Sequence, residues 1–63
     1  MMAELDRDFL NKLEVFQKKE LTEYHIYKRL AQLVPNPNNR QLLTEIANDE
    51  LRHHYLYQKY TQR

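Results

Sequence analysis

The chain has 63 residues, a formal net charge of +1, no cysteine and no glycine. Hydrophobic residues make up 41% and charged residues 30%, which is typical of a folded helical protein and excludes a disordered chain. The balanced charges exclude the basic stripe of a nucleic-acid-binding protein, and the lack of cysteine leaves metals or association to stabilise so small a core.

The N-terminal segment, residues 1–10, carries three acidic residues and no long apolar run. It therefore lacks the features of a secretory signal peptide. No apolar run elsewhere is long enough to span a membrane. We expect a protein of the cytoplasm or of a protein-bounded compartment, without membrane insertion by this segment and without a nucleic-acid partner.

A first helix is predicted over about residues 5–33, because leucine, glutamate, lysine, glutamine and alanine favour helix and no glycine interrupts them. Residues 34–36 form a turn, since Pro35 and Pro37 each disfavour helical geometry at the preceding residue. Asn36 is predicted to cap a second helix, over about residues 37–61, with Pro37 as its first residue. So short a connection predicts an all-α antiparallel hairpin as a single domain of residues 1–63.

Both helices carry apolar residues on more than one side. The stripes expected to face the partner helix contain Leu5, Phe9, Leu13, Phe16, Tyr27, Ala31 and Val34 on the first helix, and Leu42, Leu43, Ile46, Tyr57 and Tyr60 on the second. Two further rows on the first helix lie outside its stripe, one with Leu10, Leu21 and Tyr24 and one with Val15, Ile26 and Leu33. Because two helices cannot bury three rows, we expect hairpins to associate into a bundle of at least four helices.

Three ionisable residues, Glu20, Glu50 and His53, interrupt the apolar stripes. Glu50 and His53 form an E-x-x-H pair, which shares one helix face with about 4.5 Å of rise between the two residues. Glu20 precedes Asn36 by 16 residues and Glu50 follows it by 14, so the carboxylates lie about 24 and 21 Å from the turn. Pairing two hairpins by a two-fold axis assembles four glutamates and two histidines, the ligand set of di-iron or di-manganese bundles. Four carboxylates balance the charge of two divalent cations.

The segments ELTEYHIYKRLAQL (residues 20–33) and LLTEIANDELRHHYLYQKYT (residues 42–61) resemble the first half of a rubrerythrin-type, ferritin-like domain. The resemblance rests on Glu20 followed seven residues later by Tyr27, on the short turn and on Glu50-x-x-His53, and it covers about residues 9–61. It implies that Glu20 and His53 are terminal iron ligands and that Glu50 bridges two irons. A pair of chains then holds two irons, with manganese as the alternative metal.

A typical member of that family carries a second such half in the same chain and often a Cys-rich iron-binding module. This chain is therefore expected either to be a fragment of a larger rubrerythrin-like protein or to be a half-bundle that pairs with itself, as encapsulated ferritins do. The expected activity is oxidation of Fe(II) by dioxygen or peroxide, in iron handling or peroxide removal. The alternative from another class is a metal-free helical module that pairs through its apolar residues.

Other polar and aromatic residues near Glu20, Glu50 and His53 are expected to support the ligands, to pack or to lie on the surface. Glu23 also lies on the inward face, so position alone does not separate it from Glu20. The offset to Tyr27 favours Glu20 as the ligand, which leaves Glu23 to support the ligands or to guide metal ions into the site. Tyr27 is predicted to lie in the core, with its hydroxyl on a ligand carboxylate. We expect a surface or subunit contact for His54, a solvated ring for His25 and a salt bridge for Asp49.

Overall fold

The computed structural model describes residues 6–63, which form two helices and no strand. α1 spans Arg7–Leu33 and α2 spans Pro37–Thr61. The helices are antiparallel, because Glu14 near the start of α1 pairs with Arg63 beyond the end of α2. The predicted all-α hairpin is confirmed, while the predicted start of the first helix at residue 5 lies outside the described residues.

The helix ends follow from local chemistry. The Asn36 side chain accepts hydrogen bonds from the backbone N–H groups of Asn38 and Asn39, at 2.9 and 3.2 Å, and Pro37 occupies the first helical position. The predicted cap is therefore confirmed. At the other end of α2, Gln62 takes the left-handed conformation with φ 55°, and Arg63 then reaches α1, where it contacts Asn11 and Glu14.

The helices face each other through positions that repeat every seven residues. On α1 these are Leu10, Gln17, Tyr24 and Ala31, and on α2 they are Ala47, His54 and Thr61, all of them buried or half-buried. A seven-residue repeat keeps two long helices in contact along their length. The buried apolar side chains are Ala31 and Ala47, 5% and 2% exposed, and their small size lets the helices approach closely.

The predicted apolar stripes are only partly directed at the partner helix. Leu13, Tyr27, Val34, Leu43, Ile46 and Tyr57 are half-buried, whereas Phe9, Phe16, Leu42 and Tyr60 are 47–58% exposed. For these four the prediction is wrong. The predicted stripe lies one residue position away from the contact line, which on α1 runs through Gln17. Polar residues can occupy the contact line because they bond to one another.

That polar contact joins Gln17, His54 and Thr61. The Thr61 hydroxyl donates to the side-chain carbonyl of Gln17 at 2.6 Å, and both residues are buried. His54 Nδ1 lies 2.9 Å from the main-chain carbonyl of Gln17, and since a carbonyl only accepts, Nδ1 donates. The predicted surface or subunit contact for His54 is thus corrected, because the ring lies half-buried against α1.

Candidate metal centre

Glu20 and Glu50 lie next to the polar contact just described, close to the middle of each helix. Glu20 follows Gln17 by three residues and Glu50 precedes His54 by four, so each lies one turn along from that contact on its own helix. We use the name cluster face for the flank of the hairpin that carries Phe9, Phe16, Glu20, Glu23 and Tyr27 on α1 and Ile46, Glu50, His53, Tyr57 and Tyr60 on α2. The rings of Phe16 and Tyr57 stack across this flank, with centroids 6.3 Å apart.

The structure brings Glu20, Glu50 and His53 together within one chain. One potential ligand atom from each lies within 4.8 Å of the others. His53 Nδ1 lies 3.5 Å from Glu20 Oε2, so the group spans both helices. The side chain of Glu20 is 17% exposed and that of His53 is 50% exposed. The group is therefore covered on the hairpin side and open on the cluster face.

Glu23 extends this group by a third carboxyl. It is half-buried and lies three residues after Glu20 on the same side of α1. The pKa of Glu50 is raised, chiefly by the neighbouring Glu20 carboxyl and further by burial. The pKa of Glu23 is raised chiefly by the Glu50 carboxyl. Neighbouring carboxylates repel one another when all are ionised, and either a proton or a cation relieves that repulsion.

The donor chemistry of the group fits a divalent metal ion. Oε2 of Glu20 and Oε2 of Glu50 are buried and have no hydrogen-bond partner among residues 6–63. A buried acceptor without a donor costs free energy, so such an oxygen calls for an explanation. Carboxylate oxygens together with an imidazole nitrogen suit Fe(II), Mn(II) and Zn(II). A cation bound here would satisfy both orphaned oxygens.

The remaining predicted residues lie as follows. Tyr27 is half-buried, as a core residue would be, but its hydroxyl does not bond to the two orphaned oxygens, so the predicted hydrogen bond to a ligand is absent there. His25 is exposed and packs its ring edge-on against Tyr24, and Asp49 pairs with Arg52, both as predicted.

Sequence reasoning missed the contact between Gln17, His54 and Thr61, which sets the register of the two helices at the site. A signal for it was present, because Gln17, Tyr24 and Ala31 on one helix and Ala47, His54 and Thr61 on the other share a seven-residue spacing. Polar residues on that line are compatible with an interface only when they bond to each other.

The chain matches no protein-family model, no curated protein and no solved structure. Neither described helix has the apolar stretch needed to cross a membrane.

Proposed function

We propose that this chain is a di-iron carboxylate protein of the rubrerythrin-type, ferritin-like kind, in which two hairpins pair and hold two irons between them. One observation carries the proposal. Glu20, Glu50 and His53 converge from two helices, and two of their buried oxygens make no hydrogen bond among residues 6–63. A divalent cation bound between them would occupy both oxygens and offset the repulsion between the carboxylates.

The pairing of two copies is supported by what surrounds the group. Phe9, Phe16 and Tyr60 on the cluster face are about half exposed, and the hairpin is only 12 Å across in its thinnest direction. Large exposed apolar side chains around a site mark an interaction surface. A second copy related by a two-fold axis covers them and adds its own Glu20, Glu50 and His53 to the site.

In such a pair, Glu20 and His53 of each copy would bind one iron, and the two Glu50 carboxylates would lie between the irons. Two ferrous ions held there would supply the two electrons that, with two protons, reduce one hydrogen peroxide to two waters. The role of the chain would be to hold both ions. Glu50 releases its proton as a cation binds, because the carboxylate is the form that ligates. Phe16 and Tyr57 lie one turn away from Glu20 and His53, where a second copy packed on the cluster face would cover them.

The direct test is an anaerobic Fe(II) titration followed by exposure to air or peroxide. We expect saturation at one Fe(II) per chain, then an ultraviolet absorbance from the ferric product. Glu50→Gln should abolish saturation, because it removes a carboxylate from the group. Glu45→Gln is the matched control, since Glu45 is exposed on the same helix and bonds to Gln41. Absence of saturation in the native chain, or equal binding by the two variants, contradicts the proposal.

A second candidate is a metal-free module that pairs through the same apolar residues, and the exposure of Phe9, Phe16 and Tyr60 favours it as well. The melting temperature distinguishes the two. If metal binds, EDTA lowers the melting temperature and Mn(II) restores it, because a ligand that binds only the folded state adds stability. A melting temperature that responds to neither reagent favours the metal-free module.

A further inference from the structure

His54 adjoins His53 and follows Glu50 by four residues, yet the proposed function gives it no role. Its ring is half-buried on the line along which α1 and α2 meet. Nδ1 lies 2.9 Å from the main-chain carbonyl oxygen of Gln17, and Gln17 precedes Glu20 by three residues. This hydrogen bond therefore links the turn of α2 that carries two proposed ligands to the turn of α1 that carries the third.

The alanines of the contact line do not by themselves fix how the two helices are aligned. Ala31 and Ala47 are the buried apolar side chains among residues 6–63, and apolar contact has no preferred direction. A hydrogen bond, in contrast, weakens steeply when its length or angle changes. The bonds to Gln17 therefore restrict how far α2 can shift along α1 and how far it can rotate.

The two hydrogen bonds to Gln17 hold different parts of that residue. His54 bonds to its main-chain carbonyl, which belongs to the rigid backbone of α1. Thr61 bonds to its side-chain carbonyl at 2.6 Å, and a side chain can change its torsion angles to follow a small movement of α2. Thr61 also lies eight residues beyond His53, about 12 Å along the helix. The bond from His54 is therefore the one that constrains the positions of the ligands.

We propose that His54 is a positioning residue for the metal centre, whose hydrogen bond to the Gln17 main chain holds the two ligand-bearing turns at a fixed separation. This inference rests on the proposed function. With the turns held in place, binding an ion need not draw the helices together, and a preorganised site binds more tightly. His54 lies on the contact line within one hairpin, so it acts in each copy separately.

Substitutions that separate the hydrogen-bond donor from the imidazole ring test this role. His54→Asn keeps an N–H donor near the position of Nδ1, and His54→Leu removes it. His54→Ala repeats the removal with the residue that most favours helix. Thr61→Val is the control, because it removes the other bond to Gln17. The affinity for Mn(II) is measured by equilibrium dialysis with metal analysis, and urea denaturation followed by far-UV circular dichroism gives the stability and helix content of each variant.

We expect His54→Leu and His54→Ala to weaken Mn(II) binding about tenfold, at the lower end of the effect of groups that orient metal ligands. His54→Asn should bind Mn(II) nearly as tightly as the native chain. Thr61→Val should lower the urea midpoint and leave the affinity unchanged.

Three outcomes overturn this inference and leave the proposed function standing. They are native affinity in both variants that lack the donor, an equal loss of affinity in Thr61→Val, and an equal loss in His54→Asn. The second would mean that affinity follows stability alone, and the third that the ring itself matters and not its bond to Gln17. Failure of the native chain to bind Mn(II) overturns both the inference and the proposed function.

Discussion

Glu50 is the residue at which three carboxyl groups meet, and its titration has a defined sign. Its pKa in the folded chain is raised above the ordinary value near 4.5, chiefly by the Glu20 carboxyl beside it. A raised carboxyl pKa contributes stability that is fully present below the unfolded value and is lost as the pH rises through the folded value. The pKa of Glu23 is also raised, chiefly by the Glu50 carboxyl, so its titration has the same sign.

We therefore predict that the metal-free chain, kept in EDTA, loses stability as the pH is raised from 4.5 towards 7. The measurement is the urea midpoint followed by far-UV circular dichroism. Glu50→Gln should flatten this dependence, because the variant has no proton to lose at that position. Glu14 does not contribute to this loss of stability. Its pKa is lowered, chiefly by Arg63, so the stability that it contributes changes only at pH values below its ordinary pKa. A midpoint that rises with pH, or identical slopes for both proteins, contradicts the prediction.

The candidate ligands could be proposed from sequence because their information is local. The E-x-x-H spacing and the residue counts from Asn36 place Glu20, Glu50 and His53 on one side and at one depth. The sequence also predicts that Glu23 lies on the inward face, but it does not predict that the Glu50 carboxyl raises the pKa of Glu23. That effect depends on the rotation of α1 about its axis, which decides how near a residue three positions after Glu20 comes to the other helix.

The ends of both helices could be predicted from the sequence. The line of residues through which α1 and α2 contact each other could not. Pro35, Asn36 and Pro37 act through their own backbone and side-chain chemistry, so the turn follows from three residues. The facing line depends on Gln17, His54 and Thr61, which are polar and bond only to each other or to the backbone. A search for apolar periodicity passes over them and selects Phe9 and Phe16 instead.

The hydrogen bond from Thr61 to Gln17 gives a test at this scale. Thr61→Val keeps the shape of the side chain and removes the donor, which leaves the buried Gln17 oxygen without a partner. We expect the free energy of unfolding to fall by about 1–3 kcal/mol. The measurement is urea denaturation in the presence of Mn(II).

Thr44→Val is the matched control for that substitution. Thr44 is exposed and donates to the Arg40 carbonyl within its own helix, so its replacement should change the free energy of unfolding by less than about 0.5 kcal/mol. Equal effects of the two substitutions would mean that the Gln17–Thr61 bond does not hold the helices together.

The whole molecule is a rod of 50 × 19 × 12 Å whose buried apolar side chains, among residues 6–63, are two alanines. So little apolar burial gives a single hairpin marginal stability, because the cost of ordering the backbone must be met largely by apolar burial. The proposed pairing of two hairpins would add apolar burial to a chain without disulfides. The face through which they pair can be tested.

The metal proposal requires association through the cluster face, and a substitution on that face tests it. Phe16 is 48% exposed on the cluster face and Ile26 is 51% exposed on the side of α1 that faces away from α2, about 80° around the helix from Phe16, so the two residues offer similar exposure on different surfaces. Phe16→Lys places a charge where a second copy would pack, and burying an unpaired charge is costly. We expect this variant to sediment as a monomer in Mn(II), under conditions in which the native chain sediments as a dimer or larger.

Ile26→Lys should keep the native mass, because its new charge stays in water. If Ile26→Lys breaks the assembly and Phe16→Lys does not, hairpins associate through the outer side of α1, and the acidic group is then left facing solvent with no second copy to complete it.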